Sequence, residues 1–179
     1  MNLRKLEMRD APFMLEWMHD ETVVENLQTD FKGKTIIDCK SFIEASEDIS
    51  QNLHLAVVSD EDIYMGTVSL KHITEHYAEF AIVVCKEAMG KGYAKYAMEA
   101  ILQIGFEKIG LEQVYWCVNP ENKRAFRFYE KQGYRKFDIM KETSIYHNAI
   151  LGGYWQEQIA NYYWYRTLRK FEGGKERVN

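Results

Sequence analysis

Apolar positions along the chain change their spacing several times, and each change marks an element. Leu3 to Leu6 reads as a short first strand. Asp10 and Pro12 then suit a helix start, and Phe13/Trp17 and Met14/Met18 pair at i,i+4, so residues 11–19 are expected to be helical. Residues 20–34 show no period and read as a long loop or broken helix carrying Asp20, Glu21, Glu25 and Asp30. Thr35 and Asp38 resemble a capping box, and Ile36, Cys39, Phe42 and Ile43 continue as a second helix to about residue 48. After Asn52 the pattern shortens. Residues 53–58, 63–73 and 77–84 read as three strands joined by polar turns, an antiparallel meander. Ala94, Ala97, Met98, Ile101, Leu102, Gly105 and Ile109 give the strongest helical stripe, which Gly110 stops. Residues 113–118 return as a strand and 122–132 as a helix ended by Gly133. Residues 134–140 then read as a strand, 141–157 as an irregular link and 158–168 as a last strand.

The fold class is therefore α/β in the α+β sense. A mixed, mostly antiparallel sheet of about seven strands is flanked by about four helices. Residues 1–171 are expected to form one domain and 172–179 a frayed tail, since nothing in the chain resembles a linker or a repeat.

Composition narrows the partners. A hydrophobic fraction of 46% against 28% charged is a globular balance and excludes wholesale disorder. A net charge of −4 argues against a general nucleic-acid or anionic-membrane binder, which needs clustered positive charge. No apolar run approaches the roughly 18 residues a membrane span needs, and Met1 to Glu7 lacks the apolar core of a signal peptide. Three scattered cysteines, Cys39, Cys85 and Cys117, do not make a disulfide framework, so a reducing cytoplasm is the expected home. The five histidines show no ligand spacing, and no metal is expected. Twelve tyrosines lift the aromatic share to 14%, and the run Tyr162-Tyr163-Trp164-Tyr165 reads as strand. Alternation there puts Tyr163 and Tyr165 on the buried face and Tyr162 and Trp164 on the other.

The segment that points to chemistry is Val83-Val84-Cys85-Lys86-Glu87-Ala88-Met89-Gly90-Lys91-Gly92-Tyr93-Ala94. It sets two glycines between a strand end and a helix start. Glycines let the backbone turn tightly, and the free N–H groups of a helix N-terminus suit a phosphate or pyrophosphate. The Walker pattern is absent, and the dinucleotide fingerprint fails because position 95 is lysine. A plain strand-to-helix turn would use the same glycines.

Together with Asn119-Pro120-Glu121-Asn122-Lys123-Arg124-Ala125-Phe126-Arg127-Phe128-Tyr129-Glu130-Lys131-Gln132-Gly133-Tyr134, this segment resembles the GNAT superfamily of acetyl-CoA-dependent N-acetyltransferases. The pyrophosphate loop of that family, Arg/Gln-x-x-Gly-x-Gly/Ala, maps onto Met89, Gly90, Lys91, Gly92, Tyr93 and Ala94. The second stretch looks like its Asn-x-x-Ala…Phe-Tyr-Glu-Lys-x-Gly-Phe/Tyr motif. The resemblance covers the whole order of elements and is nearest to the branch acting on ribosomal-protein N-termini, amino-sugar nucleotides and polyamines. It implies acetyl transfer from acetyl-CoA, as co-substrate, to a primary amine by direct attack in a ternary complex. The acceptor stays open among a small amine, an amino-sugar nucleotide and a protein N-terminus. The chain itself is then a monomer or a homodimer.

Roles follow residue by residue. The resemblance implies that the strand ending at Val83 and Val84 splays from its neighbour and offers backbone groups to the acyl carbonyl and pantetheine. Asn122 matches a cofactor contact and equally suits a helix N-cap. Tyr129 matches a general acid for the leaving thiolate, and Phe126, Phe128 and Tyr129 also read as a packing face. Glu79 lies on the strand where several family members carry a base, and it reads equally as a half-exposed strand residue. His72 and His76 are alternatives. Met89 departs from the family pattern, where arginine or glutamine stands, with Lys86 and Lys91 as the nearest cations in sequence. Tyr146, His147, Tyr154 and Trp155 fall in the link that overhangs the acceptor site in the family, where they could stack on an acceptor. The acidic loop at 20–30 either lines the other side, which would favour a cationic acceptor, or is a solvated surface loop. A free buried cysteine behaves as a small hydrophobe, so no acyl-enzyme is expected. The alternative from another class is a non-catalytic acyl-CoA-binding or sensor domain, made plausible by Met89.

Overall fold

The computed structural model describes residues 1–169. Seven strands form one sheet in the order β1-β2-β3-β4-β5-β7-β6: β1 Asn2–Lys5, β2 Leu53–Val58, β3 Tyr64–Lys71, β4 Tyr77–Val84, β5 Gln113–Val118, β6 Arg135–Lys136 and β7 Tyr163–Leu168. Short polar turns join β2, β3 and β4 as antiparallel neighbours, as the meander pattern requires. Between β4 and β5 the chain instead crosses over through helix α4, Tyr93–Gln103, so this pair is parallel. The mixed sheet expected from the sequence is thus present. The proposed fraying tail at 172–179 lies outside the described residues.

Helices cover both faces. Helix α4 and its widened π-helical continuation Ile104–Ile109 pack on one face with α5, Lys123–Lys131. Ile101, Leu70, Trp116, Tyr129 and Tyr165 meet in that core. On the opposite face lie α1, Ala11–Met18, the single turn α2, Glu21–Val24, and α3, Ile36–Ala45. Met14, Trp17, Cys39 and Ile43 are buried there. The capping box predicted for α3 forms in both directions. Thr35 N donates to Asp38 Oδ2 at 2.7 Å, and Asp38 N donates to Thr35 Oγ1 at 3.4 Å.

The C-terminal third departs from the sequence expectation in three places. The strand expected at 134–140 shrinks to Arg135–Lys136 and gives way to a 3-10 turn at Ile139–Lys141. The link expected to be irregular holds two helices, α6 Thr143–Leu151 and α7 Gln156–Asn161. The last strand therefore starts at Tyr163 and not at Gln158. Ile145, Ala149 and Ile159 supply only one or two apolar anchors per helix, too few to show a period, yet each is buried in a third core with Tyr115 and Trp164. That core also corrects the facing of the aromatic run. Trp164 and Tyr165 are both buried because both faces of the sheet are covered here, while Tyr163 at the strand end is exposed.

Candidate active site

Strands β4 and β5 pair over only three positions, Tyr77↔Gln113, Ala78↔Val114 and Glu79↔Tyr115. Beyond Glu79 they part, although β4 continues to Val84 and β5 to Val118. On its other side β4 stays paired with β3 along its length, up to Gly66↔Val84. The gap opens a cavity of about 530 Å³, walled by Phe80 to Val83 of β4 and by Trp116 to Val118 of β5 with Asn119 just beyond it. The splay implied at Val83 is therefore present; Val83 lines the cavity, and Val84 is the last strand residue beyond it. Gly66 is needed here because a Cβ on it would lie 2.3 Å from the Val83 carbonyl oxygen.

Strand period places Lys71, Ser69 and Thr67 on one face opposite Glu79, Ala81 and Val83 of β4. That face looks toward α1 and α3. It is a polar floor: His54 Nδ1 and Ser69 Oγ lie 2.7 Å apart, as do the hydroxyls of Tyr64 and Thr67. Burial, together with the Lys71 charge, holds the His54 imidazole down to about 4, so it is neutral at pH 7. Trp17, Phe31 and Phe42 cover the floor, with Trp17 and Phe31 edge to face at 5.1 Å.

Glu79 sits at the point where the strands part. It is 2% exposed, so the half-exposed reading of this residue does not hold. Lys71 Nζ meets its Oε1 at 3.0 Å, and the Tyr154 hydroxyl donates to the same oxygen. The second oxygen, Oε2, is buried with no hydrogen-bond partner among the described residues. His72 Nε2 lies 3.7 Å from it, beyond hydrogen-bond range. Burial lowers the His72 pKa against the opposing pull of Glu79. A buried carboxylate oxygen without a donor is costly unless something else supplies a proton. His76, the other histidine considered from the sequence, is exposed and lies beside Glu112, away from the cavity.

On the other wall, Tyr129 of α5 is 6% exposed and lines the cavity. Its ring packs on Trp116 at 5.3 Å and Tyr165 at 5.5 Å. Burial raises the phenol above its ordinary range, which keeps it protonated. Asn122 also lines the cavity, and its Oδ1 caps α5 by accepting from Ala125 N at 3.0 Å. Cys117 donates to the Tyr154 hydroxyl at 3.4 Å, and burial pushes its thiol up to about 12, so it is a neutral thiol at pH 7.

The glycine-rich turn stands past Val83, outside the residues lining the cavity. Gly90 and Gly92 adopt φ of 74° and 89°, conformations that glycine takes without strain. Gly92 occupies the N-cap of α4 with no side-chain cap, which leaves the N–H groups of Tyr93 and Ala94 uncapped by any side chain. Met89 packs against the α1/α3 core, and Lys91 N is tied to Ala88 O at 3.3 Å. Arg124 of α5 reaches across to this turn, with its Nη1 2.8 Å from Met89 Sδ.

Sequence reasoning missed Lys71, Tyr154 as a carboxylate partner, and Arg124. The register Lys71↔Glu79 was available from the meander pattern, but Tyr154 comes 75 residues later, from between α6 and α7. Of the other link aromatics, Trp155 is 76% exposed, and neither Tyr146 nor His147 lines the cavity. The acidic loop does not present its carboxylates either. It contributes Asn26 to Thr29 and Phe31 to the wall, while Glu21, Glu25 and Asp30 face solvent.

Comparison with known proteins agrees with this architecture. Residues 1–135 match the model of the acetyltransferase (GNAT) domain. The chain is 27% identical over 162 residues to an uncharacterized N-acetyltransferase, YnaD, of Bacillus subtilis, covering 86% of this chain and 94% of that one. It is 31% identical over 122 residues to the spermidine N(1)-acetyltransferase of Escherichia coli K12, covering 62% and 66%. Among solved structures, a GNAT-family acetyltransferase from Bacillus anthracis superposes with a TM-score of 0.69 at 25% identity over 93% of each chain. The spermidine N-acetyltransferase of Vibrio cholerae, crystallised with CoA and spermine, gives 0.68 at 22% identity over 76% of this chain and 81% of that one, a likeness of fold. With three quarters of its length matched by the domain model and its relatives named N-acetyltransferases, this chain is an acyltransferase belonging to the GNAT acetyltransferase family.

Proposed function

We propose that the chain moves an acetyl group from acetyl-CoA to the primary amine of a small molecule, by direct attack within a ternary complex. The observation that carries this reading is the buried Glu79, with one unpartnered oxygen at the point where β4 and β5 separate. The relatives that are named spermidine acetyltransferases support an amine as acceptor, and the relative crystallised with CoA supports the co-substrate.

Acetyl-CoA supplies the acyl group as a thioester. The residues present fit such a group: a forked sheet with a cavity of about 530 Å³ in its fork, and beyond Val83 a helix N-terminus without a side-chain cap for pyrophosphate. Arg124 carries the positive charge that Met89 does not, and it holds the glycine turn against α5. Backbone groups of β4 beyond Glu79 have no partner strand on the β5 side and can meet the acyl oxygen as negative charge develops there. Glu79 Oε2 takes the proton from the attacking amine, directly or through one water. Lys71 and Tyr154 hold the carboxylate in place through its other oxygen. As the carbon–sulfur bond breaks, Tyr129 gives its hydroxyl proton to the sulfur, and solvent restores it. One proton leaves nitrogen and one arrives on sulfur, so the step balances.

Thiol release from acetyl-CoA, measured against a panel of amines with acceptor-free hydrolysis subtracted, tests the proposal. Amine-dependent turnover that falls in Glu79→Gln and Tyr129→Phe is the expected result. Acetyl-CoA binding with a flat panel would refute the small-amine reading and leave a specific protein acceptor, an uncommon nucleotide sugar or a non-catalytic acyl-CoA-binding domain.

A further inference from the structure

A base that takes a proton must lose it again before the next turnover, and Glu79 is 2% exposed. Its Oε1 side offers no way out. Lys71 is an ammonium without a lone pair, and Tyr154 gives its own proton to that oxygen. At Oε2 stands a group of another kind. His72 Nε2 lies 3.7 Å away, and the His72 side chain is 34% exposed. His72 does not line the cavity, so a ligand filling the cavity leaves the ring's path to solvent free. Several features hold the ring there. His72 follows the last residue of β3 with φ of 50°, a left-handed conformation uncommon outside glycine. Two asparagines from distant segments fix its backbone. His72 N donates to Asn52 Oδ1 at 3.1 Å, and Asn148 Nδ2 donates to the His72 carbonyl at 3.4 Å. Nε2 rests against Gly152, where a Cβ would come within 2.9 Å of it. A strained backbone held from two sides thus keeps an imidazole beside a buried carboxylate oxygen.

We infer that His72 is the proton exit of this site, relaying to solvent the proton that Glu79 takes from the amine. This deepens the acetyl-transfer reading above and rests on it. In the step, the O–H bond at Oε2 breaks and an N–H bond forms at Nε2, leaving a carboxylate and an imidazolium. The imidazolium then gives one proton to water or buffer, and the neutral ring returns. A small rotation of either side chain closes the 3.7 Å gap to about 3.0 Å. The relay needs a ring that is neutral at rest. Two charged groups face it, Lys71 beside it in the chain and Glu79 on β4, while α6 and its end present the uncharged Asn148 and Gly152. Burial and the Lys71 charge lower its pKa by more than Glu79 raises it, which favours the neutral ring at pH 7.

Proton exit follows acyl transfer, so its loss lowers kcat and spares kcat/KM for the amine. His72→Asn removes the base and suits a left-handed backbone. His72→Gln removes it with a side chain nearer in length. Both full-length variants are assayed near pH 7 with acetyl-CoA and an amine that the parent turns over, on protein whose circular dichroism matches the parent. Acceptor-free hydrolysis is subtracted. In both, kcat is expected to fall about tenfold while kcat/KM for the amine stays within about twofold. Added imidazole buffer at constant ionic strength should restore kcat in the variants and leave the parent unchanged, a response that a merely structural role would not give. A kcat within about twofold of the parent's, or a fall that imidazole does not relieve, overturns the relay and leaves acetyl transfer standing. A Glu79→Gln protein with the parent's rate overturns the base role and the relay with it, and a parent that turns over no amine overturns the acetyl-transfer reading as well.

Discussion

Replacing Glu79 by glutamine keeps the shape of the side chain and removes its charge. The amide oxygen can still accept from Lys71 and Tyr154, which now hold the carboxylate at Oε1. What disappears is the acceptor at Oε2 and the charge opposite Lys71. The Lys71 side chain is 29% exposed, so its ammonium is partly hydrated and the loss of its partner costs about 2 kcal/mol, less than for a fully buried pair. A domain with an ordinary stability of about 5–15 kcal/mol stays folded through such a loss. Removal of a general base typically lowers the rate about 10²–10⁴-fold, which is roughly 3–5 kcal/mol of barrier. Reduced folding therefore cannot account for the drop. The assay is kcat with saturating acetyl-CoA and an amine that the panel shows to be turned over, on protein whose circular dichroism matches the parent. A second readout separates a base from a positioning residue. Without Glu79 the amine must arrive already deprotonated, so the variant's rate climbs with pH toward the free amine's own pKa near 10. A kcat within about threefold of the parent, with an unchanged pH profile, would refute the role of Glu79.

Four further outcomes are expected. Tyr129→Phe keeps the ring packing on Trp116 and should lower kcat at least tenfold or so with KM for acetyl-CoA nearly unchanged; a matched loss in both would mean the ring acts by packing alone. Arg124→Ala should raise KM for acetyl-CoA about tenfold while leaving KM for the amine alone, because a charged donor is lost beside the glycine turn. Gly66→Ala drives a Cβ into the Val83 carbonyl, and neither backbone can yield without moving the cavity wall. Its melting temperature should fall by the equivalent of about 1–3 kcal/mol, with weaker acetyl-CoA binding. Finally, His54 is held at about 4 in the folded chain against 6.5 as the ordinary value. The unfolded chain then binds the extra proton first, so the stabilisation is complete above about pH 6.5 and is lost as pH falls toward 4. Urea midpoints should decline across that window, and His54→Gln should flatten the decline; an equal slope in both proteins would contradict it.

The parts of this molecule that were legible in its sequence are those fixed by neighbours in the chain. The meander β2-β3-β4, the stripe on α4 and the Thr35–Asp38 cap each depend on residues a few positions apart, and each appears where the pattern puts it. Glu79, Tyr129 and Asn122 were legible through motif resemblance, and all three line one cavity. The misreadings share a different cause. Helices α6 and α7 are held by long-range packing of Ile145, Ala149 and Ile159 under Tyr115 and Trp164, and three anchors on two short helices leave no periodic trace. The same packing sets Tyr154 beside Glu79 across 75 residues, and the segment between α1 and α3 leaves Glu21, Glu25 and Asp30 exposed to solvent. The acidic loop is the instructive case. Four carboxylates in eleven residues read as a lure for cationic acceptors, yet in the fold the loop's uncharged residues and Phe31 face the cavity. Acceptor choice depends on which side chains face inward. In an irregular segment no period reveals that, so it follows only from where the segment packs.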